Sequence, residues 1–149
     1  MSALRLDQFL PYRLSIVSNR VSAAVATAYQ ALFGLKIPEW RIIAVIAEGE
    51  AMSQQAIGVR TQMDKVTVSR AAIALVDRGL VDRRPNPVDQ RSHLLSLSAA
   101  GRALYDNVAP KALALEARIF ASLSPAEQRA FADMLNRIEA AATIDPERS

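Results

Sequence analysis

The strongest constraint on the fold of this 149-residue chain is a helix–turn–helix spacing in its middle third. Ser53 is a favourable N-cap residue for a short helix, and residues 61–63 form a short turn after it. Asp64 is a second favourable N-cap residue, for a helix that runs to about Arg78 and ends at Gly79. Two capped helices joined by so short a turn predict the helix-turn-helix motif.

Two short segments of alternating polarity follow this motif and predict a β-hairpin. They comprise residues 80–84 and 93–98, and the polar stretch at residues 85–90 between them is typical of a loop. A hairpin that directly follows a helix-turn-helix is a wing. The sequence therefore predicts a winged lobe in the middle of the chain.

Longer segments with apolar residues at the helical period flank this lobe. Residues 6–32 predict one long helix, regular from about Pro11, because proline fits the first turn of a helix or kinks it. A second helix is predicted over residues 99–123, in which Pro110 either bends the helix or divides it. A Ser-Pro start predicts the last helix over residues 125–142. The predicted fold class is mainly α with a small β wing.

Composition excludes several classes of function. The chain has no cysteine and a single histidine, His93, so thiol chemistry is excluded and a Ser-His-Asp triad is disfavoured. Because the acidic residues are also unclustered, we expect no catalytic site, no metal and no cofactor. The sequence lacks a run of about 18 apolar residues and the apolar core of a signal peptide. We therefore expect a cytoplasmic protein that does not enter the membrane.

The formal net charge of +3 is concentrated in the middle of the chain. Residues 53–93 hold seven cations and four anions, whereas the rest of the chain holds 11 of each. A local excess of cations suits a lobe that binds a polyanion, because neutralised phosphates release counterions. An ordinary solvated face is the alternative for so small an excess.

The second helix of the motif carries the candidates for reading DNA bases. At 100° per residue, Val66, Thr67 and Arg70 lie on the face opposite the buried one, with Lys65 and Ser69 at its margins. The residues predicted to be buried are Val68, Ala72, Leu75, Val76 and Gly79. Arginine can donate two hydrogen bonds to guanine, and threonine and valine can contact a thymine methyl group. A solvated helix face with one arginine is the alternative.

Further candidate DNA contacts lie at the start of the first helix and in the wing. They are Ser53, Gln54, Gln55, Arg83, Arg84, Asp89 and Arg91. The three residues at the helix start lie beside free backbone N–H groups that can bind a phosphate, although Ser53 can also be a simple cap. Arg83 and Arg84 can reach phosphates. Arg91 at the wing tip can enter a minor groove, with its guanidinium held by Asp89, unless the two residues only stabilise the turn.

Three blocks of the sequence, residues 63–70, 75–81 and 89–101, keep a known order and spacing. They follow the patterns Asp-Lys-x-Thr-Val-Ser-Arg, Arg-Gly-Leu-Val and Asp-x-Arg-x-x-x-Leu-x-Leu-Thr-x-x-Gly, with Ser98 in place of the usual threonine. In these blocks the chain resembles the MarR family of bacterial transcriptional regulators. The long helices agree as well, so the resemblance covers essentially the whole chain.

The resemblance implies a homodimer whose two winged lobes bind a pseudo-palindromic operator in double-stranded DNA. It assigns residues 1–35 and 99–149 to a helical dimerisation region and residues 36–98 to the winged helix-turn-helix domain. Apolar stripes at both ends of the chain fit this assignment: Leu10, Leu14, Val17, Leu123, Phe131, Leu135 and Ile138. The alternative is that these helices pack on each other within one chain.

The resemblance also implies a repressor that a small aromatic, phenolic or anionic ligand releases from DNA. The candidate pocket residues are Tyr12, Arg13, Ser15, Asn19, Trp40 and Arg41. Arg13 or Arg41 can bind a carboxylate, and Trp40 can stack on a ligand or belong to the core. Residues 10–14 with residues 18–19 resemble those of members that sense phenolic acids or their thioesters.

Two other functions remain open from the sequence. One is a DNA-binding regulator without an effector, which acts as an activator or as a competitor of other DNA-binding proteins. The other is an enzyme, which the isolated His93 disfavours because a catalyst needs a nucleophile–base pair or a metal site.

Overall fold

Residues 3–143 are described by the computed structural model, in two compact units that divide after Leu115. After a 3-10 turn at Leu6–Gln8, the elements are α1 (Leu10–Ala26), α2 (Gln30–Phe33), α3 (Ile37–Ala47), β1 (Met52–Ser53), α4 (Gln54–Thr61), α5 (Lys65–Asp77), β2 (Val81–Pro85), β3 (His93–Leu97), α6 (Ala99–Ile119) and α7 (Pro125–Ala142). This order confirms the predicted fold class, mainly α with a small β wing.

The sheet has three antiparallel strands in the order β1-β3-β2. Arg83 on β2 and Met52 on β1 both pair with Leu95 in the central strand, whose side chain is fully buried. The hairpin of β2 and β3 was predicted, whereas β1 was not. β1 has only two residues and forms by pairing with β3, so it leaves no periodic signal in the sequence.

The core of the first unit lies between α3, α4, α5 and the sheet. Its most deeply buried side chains are Leu35, Ile42, Ile43, Ile57, Val68, Leu75, Val81, Leu95 and Val108. Because every element of the helix-turn-helix contributes to this core, α5 is held in a fixed orientation by the lobe itself.

The prediction of one continuous helix over residues 6–32 is wrong. Pro11 lies in the first turn of α1, as expected, but α1 ends at Ala26 and the short α2 begins only at Gln30. The Thr27 hydroxyl donates a hydrogen bond of 2.7 Å to the Ala24 carbonyl at this break. The buried Tyr29 stacks there on another aromatic ring. Tertiary packing thus overrides the helical period.

Local signals at the helix ends are confirmed. The predicted caps Ser53, Asp64 and Ser124 each accept a hydrogen bond from the backbone N–H three residues later, and Ser98 does the same at the start of α6. Gly34 and Gly79 follow α2 and α5 with φ of 63° and 72°, a conformation that glycine adopts without strain.

The two last helices differ in how well their bounds were predicted. α6 continues as one helix past Pro110 but ends at Ile119, four residues before the predicted end at Leu123. α7 spans the predicted 18 residues, and none of them is buried. Residues 144–149 of the predicted dimerisation region, and residues 1–2, lie outside the described residues. Within the described part of the chain, no helix has the length and apolar character needed to cross a membrane.

Candidate nucleic-acid interface

The start of α5 is fixed by a hydrogen-bonded turn around Asp64. Its carboxylate accepts bonds of 2.8 Å from both the backbone N–H and the hydroxyl of Thr67. These bonds hold the pKa of the Asp64 carboxyl below its ordinary value, and the bond from the backbone N–H of Thr67 has the largest effect. Thr67 is half-buried rather than fully exposed. Its hydroxyl donates its proton to Asp64.

The face of α5 opposite the core carries the predicted base-reading residues. Val66 is 58% exposed, Arg70 and Lys65 are exposed, and Ser69 is half-buried at the margin. One exposed side chain on this face was missed, Ile73, at 52%. The helical angle of 100° per residue places Ile73 on the same face as Val66 and Arg70, so the sequence held a signal that could have found it.

The buried stripe of α5 differs from the prediction at three positions. Val68, Ala72 and Leu75 are buried as expected, and the unpredicted Ala71 joins them. Val76 is only half-buried. Gly79 is exposed because it lies beyond the end of the helix, where its positive φ turns the chain away.

A groove of about 750 Å³ brings three predicted contact residues together. Gln54 and Gln55 at the start of α4 line it with Lys65 at the start of α5. The turn between the helices forms its floor, where Gln62 has a positive φ of 58°. Ser53 caps α4 with a 3.1 Å bond from the Ala56 N–H. The groove thus places amide groups and one cation beside two helix N-termini, which attract anions.

A second groove, of about 260 Å³, shows a cation that the sequence reasoning missed. Lys36, the residue before α3, lines this groove together with Thr67 and Arg70 of α5. Glu39, which is buried, also lines it and accepts a 2.9 Å bond from the Lys36 backbone N–H. Lys36 and Arg70 therefore line one groove beside the exposed face of α5, together with the Glu39 carboxylate.

The tip of the wing is ordered by its own hydrogen bonds. The Asp89 carboxylate accepts a 3.0 Å bond from the backbone N–H of Arg91. The Asn86 side chain accepts a 3.0 Å bond from the Val88 N–H and donates one to the Ser92 hydroxyl. The prediction that Asp89 holds the Arg91 guanidinium is therefore wrong, because its carboxylate binds the backbone and leaves the guanidinium exposed.

Two more cations lie on the outer wing strand. Arg83 and Arg84 are both exposed on β2, and one guanidinium nitrogen of Arg83 lies 3.4 Å from Nδ1 of His93. Within residues 3–143, no three His, Asp or Glu side chains are grouped closely enough to hold a metal ion. Arg83 and Arg84 thus offer cationic side chains along the outer wing strand.

The candidate ligand residues are split between an exposed helix and an aromatic stack. Four of them lie exposed along α1: Tyr12, Arg13, Ser15 and Asn19. Trp40 is stacked between Tyr29 and Tyr105, with ring centroids 5.3 and 5.8 Å apart. This geometry favours the core interpretation of Trp40. Arg41 is exposed near Tyr29, whose pKa is raised because burial outweighs the nearby positive charge.

Neither groove beside α5 is lined by any of the six candidate ligand residues. A pocket that included the four exposed residues of α1 would need other residues as a second wall. Neither groove beside α5 provides such residues.

The known proteins that this chain resembles are transcriptional regulators. A family model described as MarR family matches residues 33–92. The HTH-type transcriptional repressor Rv2887 of Mycobacterium tuberculosis is 27% identical over 131 residues, which cover 87% of this chain and 91% of that protein. The crystal structure of a probable transcriptional regulator from Pseudomonas aeruginosa is 31% identical, with a TM-score of 0.79, and the match covers 90% of this chain and 99% of that one. The structure of CouR from Rhodococcus jostii RHA1 bound to p-coumaroyl-CoA is 25% identical, with a TM-score of 0.79, over 91% and 95% of the two chains.

Proposed function

This chain belongs to the MarR family of DNA-binding transcriptional regulators, and from that premise we propose that it is a homodimeric repressor released from its operator by a small aromatic or anionic ligand. It is a regulator and not an enzyme. In this proposal residues 36–98 bind DNA, and residues 1–35 and 99–149 form the dimer. Because operator DNA lies in the cytoplasm, the proposal includes that location.

The observation that carries the DNA-binding role is the exposed face at the start of α5. Val66 and Arg70 project from a helix whose opposite face is anchored in the core. A helix of this kind fits the major groove, where arginine can donate two hydrogen bonds to guanine. Lys65, Ser69 and Thr67 complete the α5 contacts.

The remaining contacts lie on either side of α5. Gln54 and Gln55, with the capped start of α4 at Ser53, bind backbone phosphates. On the wing, Arg83 and Arg84 bind phosphates and Arg91 enters the adjacent minor groove. Asp89 acts through the backbone of Arg91 and orients the tip.

The homodimer is supported by apolar side chains that one chain leaves exposed. On α1 these include Leu10, which is 73% exposed, and Leu14 and Val17. On α7 they include Phe131, Leu135 and Ile138. Soluble monomers rarely expose contiguous apolar patches of this kind, so a second copy covers them. A twofold pair also presents two α5 helices to successive major grooves of a pseudo-palindromic operator.

The ligand-dependent release is supported by two relatives. Rv2887 is named a repressor, and CouR was crystallised with p-coumaroyl-CoA. In this chain Tyr12, Ser15 and Asn19 lie exposed on one face of α1, and Arg13 is exposed on another face. Arg41 adds a further exposed cation. A carboxylate or thioester bound there shifts the dimer between a spacing of the two lobes that fits DNA and one that does not.

The full-length protein and the DNA upstream of its own coding region test this proposal. We expect salt-dependent binding that is stronger than binding to a random duplex, and relief of binding by an aromatic acid or its CoA thioester. Binding that no such compound relieves would contradict the ligand-dependent release and would favour the regulator without an effector. Equal affinity for both duplexes would contradict operator recognition.

A further inference from the structure

Ile73 completes an apolar stripe on the exposed face of α5. It lies seven residues after Val66, with Arg70 between them, so the three side chains fall within about 60° on the helix surface. Val66 is 58% exposed and Ile73 is 52% exposed, whereas Val68 and Leu75 on the same helix are buried. Two branched aliphatic side chains therefore flank the one arginine of this face.

The lobe does not need these side chains for its own core. Val68, Ala71, Ala72 and Leu75 already provide the buried face of α5. Ile73, in the third turn of α5, leaves about half of its surface uncovered in the monomer, so further burial would stabilise a complex. Its apolar surface is available to whatever lies against α5.

Charge complementarity indicates what covers the stripe. Lys65 is exposed at the start of α5, and Lys36 borders the groove that contains Arg70. Asp64 and Asp77 are exposed at the two ends of α5, so the anionic character of the partner is indicated by the excess of cations over residues 53–93 as a whole. An apolar stripe in such a lobe fits a polyanion that also presents apolar groups. The major groove of DNA is such a surface, since the C5-methyl group of thymine is the apolar group on its base edges.

The length of the stripe matches a few base pairs. Seven residues of α-helix rise about 10.5 Å, which is well above the base-pair spacing of about 3.4 Å along the DNA axis, so Val66 and Ile73 contact different base pairs. With Arg70 on a guanine, the two aliphatic side chains reach the bases on its two sides.

We propose that Ile73 is a specificity-determining residue that contacts a thymine methyl group in each operator half-site. Val66 contacts a second thymine, on the other side of the base that Arg70 contacts. The inference rests on the proposed DNA-binding role of α5 and adds the class of base on either side of the Arg70 contact. Ile73 thereby reads a group that no hydrogen bond can read.

The test uses duplexes that the wild-type protein selects from a random library. Each thymine of the selected half-site is replaced in turn by uracil, which removes only the methyl group. We expect two of the uracil replacements in a half-site each to weaken wild-type binding about fourfold, the factor for one buried methyl group. The variant Ile73→Ala should bind the thymine and uracil duplexes equally at that position. Val66→Ala should lose its sensitivity at a different thymine.

Two controls separate this result from unfolding and from general effects. Glu50→Ala truncates an exposed side chain that lines neither groove beside α5 and should leave every uracil effect unchanged. Thermal denaturation should show Ile73→Ala folded, because the residue is not in the core.

Three outcomes would overturn the inference. Ile73→Ala could keep the wild-type sensitivity to uracil, or weaken selected and random duplexes equally, which would indicate contact with the sugar–phosphate backbone. It could also leave DNA binding unchanged and alter only self-association, which would make the stripe a protein interface. If the wild type selects no duplex at all, the proposed function fails together with the inference.

Discussion

The winged lobe and α7 bury their apolar side chains to very different extents. In α5, four of 13 residues are buried, and they pack with side chains of α3, α4 and the sheet. In α7, all 18 residues are exposed, including Phe131, Leu135 and Ile138. The first region has a complete core within one chain. The second has an apolar face on which Phe120 contacts Phe131, with ring centroids 6.1 Å apart, while Leu135 and Ile138 stay exposed.

Local sequence signals are equally strong in the two regions. Asp64 caps α5, and Ser124 with Glu127 forms a reciprocal capping box at the start of α7. Caps and helical period therefore specify that a helix forms, but they do not specify what covers it. In proteins most of the stability of a helix comes from packing of its apolar face, so α7 depends on packing for its stability.

A charge on the apolar face of α7 should disrupt the packing on which this helix depends. Leu135→Asp is expected to give a monomer and to weaken operator binding at least about hundredfold, because two linked lobes gain affinity from binding together. Analytical ultracentrifugation and a DNA-binding titration measure the two effects. Asn136→Asp adds the same charge to the neighbouring residue and serves as the control. A Leu135→Asp variant that remains a dimer would contradict the assignment of this face to the interface.

A substitution at Gly101 tests how tightly the winged lobe is packed where the wing meets α6. A methyl group there would overlap the Leu80 carbonyl oxygen and lie 3.4 Å from Cδ2 of Leu97. Gly101→Ala should therefore lower the free energy of unfolding by about 3 kcal/mol through overpacking. Gly49→Ala is the matched control, because no atom lies within 4 Å of the added carbon. Similar melting temperatures for the two variants would show that the junction of wing and α6 is loose.

Arg70→Ala should separate the function of the lobe from that of the outer helices. We expect specific DNA binding to weaken by roughly 1–3 kcal/mol while the dimer remains intact. Titrations with the operator and with a random duplex measure the difference. An equal loss on both duplexes would mean that Arg70 binds phosphate rather than a base.

The smallest expected effect concerns pH and compares the caps of the two regions. The pKa of Asp64 is lowered in the folded state by bonds from Thr67, so its stabilisation is present above about pH 4 and is lost as the pH falls. Thermal denaturation of wild type and Asp64→Asn should differ at pH 7 and converge below about pH 4. Glu127→Gln should behave in the same direction in α7, since bonds from Ser124 lower the pKa of Glu127. A difference that persists unchanged at low pH would contradict the role of the ionised cap.

The sequence predicted those parts of the fold that local chemistry sets. The caps at Ser53, Asp64 and Ser124 and the glycine ends were correct because each depends on residues within a few positions. The break after Ala26 was missed because apolar residues continue at the helical period, while the buried Tyr29 selects another path. β1 was missed because only its pairing partner, distant in sequence, makes it a strand.

The candidate interface was predictable as a helix face but not in its details. Angles around α5 gave Val66 and Arg70 correctly, yet overlooked Ile73. Tertiary packing brings Lys36 into the groove that Arg70 also lines, which no sequence spacing indicates. Asp89 was expected to bind a guanidinium, but a backbone N–H two residues away is a closer partner.

The three stacked rings make the protein its own optical probe. Trp40 is the chain's single tryptophan, and Tyr29 and Tyr105 hold its two faces from the α1–α2 turn and from α6. Fluorescence of the indole therefore reports on one defined junction, where α3 meets both neighbours. Any effector that changes the spacing of these rings will change the emission, so ligand screening needs no attached dye.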